Sequence, residues 1–490
     1  MMSTIDSKKN NRYYLSRWNN SLMKKKMIIA CFITSMTITI IFSGLLDVRV
    51  LHGASITTKY IQEEIHWQWT YGDTGNDYAF DLVQTADGGF VLAGYTHYKE
   101  DSEEYKEGNI ADMLLVKTDA EGVEQWKKSF NLTDYDRFTS IIQAPDGGFV
   151  LTGYTDNGML LIKTDGNGVE QWNRSYGRGG CAALEAALIG TADGGFALTG
   201  DICCCKKITL LKTDADGRES WNRTFTWETD GDFVSSLLQT SDGGFVLVGS
   251  TYLAGTSNLD MLLVKTDTEG TELWKKTYGG KDDDSARSLV LTADGGFILA
   301  GDTQRGGDAD FWLVKTDADG NEEWRRTYGG DETDRAYALI ETVDGGYALT
   351  GYTSFSNTAT TDLWLVKTDK EGKMQWYRMY GGTGDDEGFA LLQTVDGGFV
   401  LAGSTSSYET DNTDFWLLKT GNITGTDTTE TVKPVYYKIA EIVQDNSAKP
   451  GIFDSPGFGV LPLLVAITIL TGWYKWKKRS MLYTVCSDKK

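Results

Sequence analysis

Short apolar stretches alternate with glycine-containing turns along most of the chain, and the pattern recurs about every 50 residues. In the copy from Asp334 to Tyr380, apolar runs predict four short strands with no helical periodicity between them. They are 336–342, a run from Tyr347, 363–368, and a run carrying Trp376. The tripeptide Asp-Gly-Gly marks the copies, starting at Asp87, Asp146, Asp193, Asp242, Asp294, Asp344 and Asp396.

Glycine positions predict how each repeat turns and packs. Asp344-Gly345 between two apolar runs predicts a type I′ hairpin, in which both central residues have positive φ. The second strand is almost continuously apolar, so we expect it to be buried on both faces. A glycine inside that strand predicts close approach of a neighbouring backbone. It recurs as Gly94, Gly153, Gly200, Gly249, Gly301, Gly351 and Gly403.

Four antiparallel strands per repeat predict the blade of a β-propeller. Glu64–Tyr71 matches a fourth strand with no first three before it, and Trp416–Thr420 a third strand with no fourth after it. Together they predict an all-β, seven-bladed propeller over residues 62–421, in which the N-terminal strand completes the last blade. A linear solenoid is the alternative and would need capping repeats. Seven tryptophans are predicted to fill the gaps between blades: Trp67, Trp126, Trp172, Trp221, Trp274, Trp324 and Trp376.

Composition narrows the classes of function. The 490 residues carry a net charge of −22, which excludes a nucleic-acid partner because such a partner requires a basic surface. The chain has three histidines and lacks zinc-protease, nucleophile-elbow and Walker motifs. We therefore expect no cofactor, and binding rather than catalysis is the first hypothesis.

Apolar segments at both ends predict a membrane tether. The segment 27–46 follows three lysines and is either a signal peptide cleaved near Ala54 or a signal anchor. A second apolar segment is followed by basic residues, which places the repeats outside the cell with a membrane as partner. Flanking regions are a basic cytoplasmic stretch at 1–26, a Thr-rich stalk at 422–455, the second hydrophobic helix with its basic stop at 456–479, and a tail at 480–490.

Export agrees with two further features. Four N-x-Ser/Thr sequons fall in the outside portion, at Asn131, Asn173, Asn222 and Asn422. Cysteines break the repeat in the third blade, where an extracellular disulfide would join Cys181 to Cys203, Cys204 or Cys205.

Two repeated residue types offer charge. A lysine before each Thr-Asp turn is predicted to pack its stem and pair with an aspartate. An aspartate before the first strand could cap the backbone or bind calcium, the one cation candidate. It occurs as Asp77, Asp136, Asp232, Asp284, Asp334 and Asp386. Connections after the second and fourth strands vary in length and open on one face, where we expect a partner to bind, with the acidic loop 96–112 as first candidate.

The string Ser455–Gly459, followed by an apolar helix and a basic cluster, resembles the PGF-CTERM sorting signal of archaeal surface proteins. That resemblance implies that a sortase-type enzyme recognises Pro456, Gly457 and Phe458, removes the tail and substitutes a lipid anchor. Residues 480–490 extend beyond the point at which the family's signal usually ends, so a plain transmembrane anchor is the alternative.

The repeats, such as Leu313–Trp324, are similar to the Asp-Gly-Gly arrays of prokaryotic surface proteins and to the tryptophan-docking repeats of quinoprotein-like (PQQ-like) propellers. This similarity implies a fold and leaves function open. Adjacent cysteines lie over the quinone in some quinoprotein dehydrogenases. We expect a cell-surface, non-catalytic binding or adhesion module for a glycan, protein or polymer, and the alternative is an extracellular carbohydrate-active or quinone-dependent enzyme.

Overall fold

The described part of the chain forms 28 strands in seven four-stranded antiparallel sheets, and it contains no helix. The computed structural model describes residues 65–72, 75–97, 111–177, 186–201, 208–225, 232–252, 258–305, 307–355, 359–408 and 412–422.

Each sheet is one blade, and its strands follow one another from the axis of the ring outwards. Blade 1 comprises β2 (Asn76–Gln84), β3 (Phe90–His97), β4 (Ala111–Thr118) and β5 (Glu124–Phe130). Blade 2 comprises β6 (Arg137–Gln143), β7 (Phe149–Thr155), β8 (Gly158–Thr164) and β9 (Glu170–Tyr176). Blade 3 comprises β10 (Ala186–Gly190), β11 (Phe196–Asp201), β12 (Ile208–Thr213) and β13 (Glu219–Phe225). Blade 4 comprises β14 (Phe233–Gln239), β15 (Phe245–Tyr252), β16 (Leu259–Thr266) and β17 (Glu272–Tyr278). Blade 5 comprises β18 (Asp284–Leu291), β19 (Phe297–Arg305), β20 (Asp308–Thr316) and β21 (Glu322–Tyr328). Blade 6 comprises β22 (Asp334–Glu341), β23 (Tyr347–Phe355), β24 (Thr360–Thr368) and β25 (Met374–Tyr380).

The seventh blade joins the two ends of the repeat region. Its strands are β26 (Asp386–Gln393), β27 (Phe399–Thr405), β28 (Asp414–Thr420) and β1 (Ile65–Tyr71). β1 pairs antiparallel with β28, from Ile65 opposite Thr420 to Tyr71 opposite Phe415. The first strands contact one another around the whole ring, β26 against β2 included. This pairing confirms the closed seven-bladed propeller and excludes the solenoid.

Apolar packing lies between the blades. Each of seven buried clusters draws its side chains from two neighbouring blades. Strands such as β7 are buried at every position, as the apolar pattern predicted. Each of the seven repeat tryptophans contacts an aromatic ring of the second strand in the next blade, with ring centroids 5.8 to 6.5 Å apart. The tryptophans thus lie at the blade junctions.

The Asp-Gly-Gly turn differs from the prediction. Gly345 has a φ of +78°, whereas Asp344 is not among the described residues with positive φ. Gly345 N–H donates to Thr342 O, and Thr342 N–H donates to Gly346 O. A three-residue loop with one left-handed glycine combines a type I turn with a G1 bulge. The type I′ assignment was therefore wrong, because the loop is one residue longer and needs only one positive φ.

A second bulge, in the first strand, is coupled to the glycine of the second strand. In β22 the pairing register shifts between Ala336 and Ala338, so Tyr337 has no partner in β23. A Cβ on Gly351 would lie 1.8 Å from the carbonyl oxygen of Arg335. The predicted close backbone approach is thus present, and it occurs where the bulge turns the innermost strand.

Several predicted segments lie outside the described residues. They are the hydrophobic helices at 27–46 and 456–479, the stalk and the tail. The propeller lies within the unit Met1–Thr429. Within the described ranges, no helix has the length and apolar character that crossing a membrane requires.

Candidate binding face

The repeated lysines and Asp-Gly-Gly aspartates form a scaffold of ion pairs. Lys212 Nζ lies 2.9 Å from Asp193 Oδ2 and donates to the backbone oxygen of Thr213 at 2.8 Å. The lysine is buried, while the aspartate side chain is 65 % exposed. Hydrogen bonds from Lys212 and Thr191 lower the pKa of Asp193 to about 2. The same pair occurs in all seven blades, as predicted, so it has a structural role.

The six aspartates proposed as calcium candidates are all buried at the entrance to a first strand. Asp284 Oδ2 accepts a hydrogen bond from Gly280 N–H at 2.8 Å, and Asp386 Oδ2 accepts one from Gly382 N–H at 2.9 Å. Asp284 and Asp386 therefore cap backbone N–H groups of the loop that enters the first strand. Among the described residues, no group of three or more His, Cys, Asp or Glu could hold a metal ion.

At four blade junctions, such an aspartate faces a second aspartate from the third strand of the preceding blade. Asp260, Asp362 and Asp414 are buried, and Asp310 is half-buried. A Cβ on Gly279 would lie 2.3 Å from Asp260 Oδ1 and 2.8 Å from Asp284 Oδ2, so the two carboxylates share one small space beside a glycine. The corresponding sets are Gly72 with Asp77 and Asp414, Gly329 with Asp310 and Asp334, and Gly381 with Asp362 and Asp386. Burial, followed by the charge of Asp284, raises the pKa of Asp260 to about 6.

The blades differ in the residue that lies at the first-strand bulge. We name the side of the ring where first strands begin and second strands end the loop face, and the opposite side the turn face. Register shifts leave one residue unpaired in the first strand of six blades. These residues are Phe80, Thr139, Ser235, Arg287, Tyr337 and Phe389. Blades 5, 6, 7 and 1 thus contribute large side chains, and blades 2 and 4 small ones.

The large side chains meet across neighbouring blades near the axis. The rings of Tyr337 and Phe389 have centroids 4.9 Å apart, and those of Phe389 and Phe80 are 5.2 Å apart. Phe80 continues to Tyr95 at 5.5 Å, and Tyr352 lies 5.8 Å from Tyr337. We name Phe80, Tyr95, Tyr337, Tyr352 and Phe389 the axial aromatic cluster. All except Tyr95 are half-buried, so they present partly accessible rings.

The aromatic contacts extend along the rim towards blade 2. Tyr95 contacts the His97 ring at 4.9 Å, and His97 contacts Tyr135 at 5.9 Å. The guanidinium of Arg137 lies 5.9 Å from the Tyr135 ring. Burial, followed by the positive charge of Arg137, lowers the pKa of His97. His97 ends β3 at the base of the acidic loop 96–112, of which residues 98–110 lie outside the described residues.

Charged groups flank the axial aromatic cluster in blades 5 to 7. Arg287 lies over the Tyr337 ring at 5.1 Å and 3.5 Å from Asp302 Oδ1. Arg335 Nε is buried without a hydrogen-bond partner among the described residues. Burial, followed by the charge of Asp385, raises the pKa of Glu387 to about 7, while Arg335 and Arg287 act in the opposite direction. The cluster therefore combines aromatic faces, hydrogen-bond donors and an acceptor.

The remaining predicted residues have different outcomes. All four sequon asparagines are exposed: Asn131, Asn173, Asn222 and Asn422. The disulfide candidates and the sorting motif lie outside the described residues: Cys181, Cys203, Cys204, Cys205, Pro456, Gly457 and Phe458.

Sequence reasoning missed both groupings of side chains. The third-strand aspartates carry a signal that could have been found, because each lies five residues before the repeated lysine, as Asp260 does before Lys265. The axial aromatic cluster has a weaker signal, since Tyr337 and Phe389 fit the apolar pattern of an ordinary strand. Only comparison of aligned repeats would show that large residues gather in adjacent blades.

No protein-family model matches the chain, and no curated protein matches it either. Among solved structures, it is similar to Drosophila Plexin A in complex with Semaphorin 1b, at 8% identity over 73% of this chain and 87% of that one, with a TM-score of 0.46. Sqt1 from Chaetomium thermophilum gives 10% identity, 69% and 82% coverage and a TM-score of 0.44. A Bacteroides caccae protein of unknown function gives 16% identity, 55% and 89% coverage and 0.38. At these values the propeller assignment depends on the strand pairing itself.

Proposed function

We propose that this protein is a non-catalytic binding module that recognises an extracellular glycan, protein or polymer through the axial aromatic cluster. The observation that supports the proposal is the break in symmetry at the first-strand bulge. Residues repeated in every blade maintain the scaffold. At the bulge position, by contrast, the large aromatic side chains Tyr337, Phe389 and Phe80 lie in neighbouring blades on one side of the axis. Bulges commonly occur beside functional sites because they re-aim a side chain.

The chemistry of the cluster suits recognition. Tyrosine and arginine are enriched among the residues that dominate binding energy at interfaces. Rings of Tyr337 and Tyr352 offer flat apolar faces, and burial raises the pKa of both phenols, so they are neutral hydrogen-bond donors at physiological pH. A partner with both apolar faces and hydroxyl or amide groups would match this mixture of aromatic rings, Arg335 and Glu387.

The ends of the described ring suit a tethered receptor. Ile65 and Thr420 are paired at the end of the seventh blade that belongs to the turn face. The described ring therefore begins and ends on the side opposite the axial aromatic cluster.

Exported location is part of the same proposal. Exposure of the four sequons is what glycosylation in an extracellular compartment would require. Either sortase processing or a transmembrane helix would supply the C-terminal anchor.

Substitutions on the side of the axis that carries the axial aromatic cluster should weaken binding, whereas substitutions at the same repeat position on the other side should not. Full-length protein would be screened against a glycan array and against solubilised envelope proteins. Tyr337→Ala and Arg335→Ala should each weaken a detected interaction by roughly 30-fold, the effect of losing a central interface residue. Thr139→Ala and Ser235→Ala alter the same bulge position in blades 2 and 4 and are the matched controls.

Melting temperatures of all four variants would establish that the ring is intact. Equal affinity of Tyr337→Ala and wild type, together with loss of affinity in Ser235→Ala, would place the binding surface elsewhere and reject the proposal.

A further inference from the structure

The paired aspartates at the blade junctions have a charge problem that the scaffold alone does not solve. Two carboxylates that face one another in a buried space repel, and burial removes the water that would screen them. At the junction between blades 4 and 5, Asp260 is 4% exposed and Asp284 is 3% exposed. Both approach the space beside Gly279 to within 3 Å of a single point.

The first-strand aspartate, Asp284, accepts hydrogen bonds from the protein. One carboxylate oxygen of its third-strand neighbour, Asp260, accepts none among the described residues. Asp284 accepts from Gly280 N–H, and Thr303 also donates to its carboxylate. Asp260 Oδ1 is buried and has no hydrogen-bond partner among the described residues, and this is the oxygen directed at the shared space. A buried carboxylate oxygen without a donor is unusual in a folded protein, and a bound ion is one way to satisfy it.

The glycines support the same conclusion. A Cβ would lie within 3 Å of both carboxylates at Gly72, Gly279, Gly329 and Gly381, four glycines that occupy the same repeat position. Of the four, only Gly329 has a positive φ, +152°, and this value differs from those of the turn glycines. The recurring reason for glycine is thus the space that the carboxylates enclose.

We propose that these four junctions are binding sites for a divalent cation of the calcium type, each formed by one first-strand and one third-strand aspartate. Two carboxylates balance the charge of one such ion. Calcium takes additional ligands from backbone carbonyls and water, so two carboxylates are a sufficient acidic contribution. The ion would join consecutive blades at the loop face.

Calcium binding to the full-length protein tests this proposal. After treatment with a chelator and dialysis at neutral pH, millimolar calcium chloride should raise the melting temperature by several degrees, because the ion binds the folded chain alone. Sodium chloride at equal ionic strength should produce no comparable rise. The absence of a calcium-specific rise would overturn the proposal and would mean that each carboxylate pair shares a proton.

A charge-matched pair of variants locates the ions. Asp260→Asn combined with Asp310→Asn keeps the side-chain shape and removes one carboxylate from two junctions, so calorimetric titration should show two fewer sites. Glu121→Gln combined with Asp319→Asn removes the same charge from exposed turns of the turn face and should leave the stoichiometry unchanged. Equal stoichiometry in both double variants would assign the calcium to the general surface charge and reject the junction sites.

Discussion

The repeated aspartates of the described blades occupy three distinct environments, and the position of each within the blade determines its pKa. In the Asp-Gly-Gly turn, a lysine and a threonine donate to the carboxylate and lower its pKa, as for Asp193. At the blade junctions, burial raises the pKa, to about 7 for Asp334. In the third-strand turns, the side chain accepts backbone N–H groups, as Asp317 does from Asn321. One residue type therefore stabilises the turns, the blade junctions and the hairpins by different means.

The ion pair between Asp193 and Lys212 should stabilise the folded chain measurably. Asp193→Asn should cost about 1–2 kcal/mol at neutral pH, above the value of an exposed pair because Lys212 remains buried without its partner. The pKa of Asp193 is lower in the folded state than its ordinary 3.8, so the stabilisation is complete above that value and is lost as the pH falls through about 2.

Urea unfolding of both proteins at neutral pH and near pH 2 measures this effect. Asp216→Asn, which removes an exposed aspartate near Arg218, is the control. A stability difference for Asp193→Asn that persists unchanged at the acidic pH would contradict the electrostatic explanation.

At the scale of the strand, the bulge and its facing glycine act together. The glycine lets the second strand approach the carbonyl before the bulge, and the bulge turns the next side chain towards the axis. The geometry is the same in blades with Thr139 and with Tyr337, so the backbone is constant while the presented side chain varies. This separation allows the side chain presented at the axis to change without changing the fold.

Gly351→Ala should therefore destabilise the propeller by at least about 2 kcal/mol, since a Cβ 1.8 Å from the Arg335 oxygen can be accommodated only by moving backbone. The same change should weaken partner binding, because it displaces the bulge that positions Tyr337. Thermal unfolding with Gly330→Ala as control, where an added Cβ meets no atom within 4 Å, checks the stability claim. Indistinguishable melting temperatures would show that the close approach has no energetic role.

The strand pattern could be predicted from sequence because seven copies reinforce the same signal, and strands such as 347–353 and 363–368 fall within β23 and β24. The pairing of β1 with β28 could also be predicted by counting strands, because the first repeat piece is a lone fourth strand and the last repeat lacks its fourth strand. The bulge could not be predicted, because one extra residue leaves the apolar pattern looking regular while it moves Tyr337 to the axis. The meeting of Asp260 with Asp284 depends on the rotation between blades, which sequence spacing does not contain.

At the scale of the whole molecule, the ring is held closed by one strand from each end of the repeat region. β1 covers the outer edge of β28 and adds Tyr71 and Trp67 to the cluster shared by blades 7 and 1. Without β1, the outer edge of β28 would be uncovered, and an unpaired strand edge promotes association with another chain.

Removing residues 1–71 should lower the melting temperature by roughly 10 °C or more, since it removes a strand and uncovers an edge. Removing only residues 1–61 should leave the melting temperature unchanged. Scanning calorimetry with light scattering compares the two truncations, and the longer one should also self-associate. Equal melting of both would mean that β1 contributes nothing to closure.

The antiparallel pairing of Ile65 with Thr420 has a mechanical consequence. Tension applied between the two flanking segments would act at the same end of both strands and would separate their backbone hydrogen bonds one after another, as in a zipper. Such a geometry resists force less than a sheared pair does, so tension between these segments would open the ring first at the seventh blade.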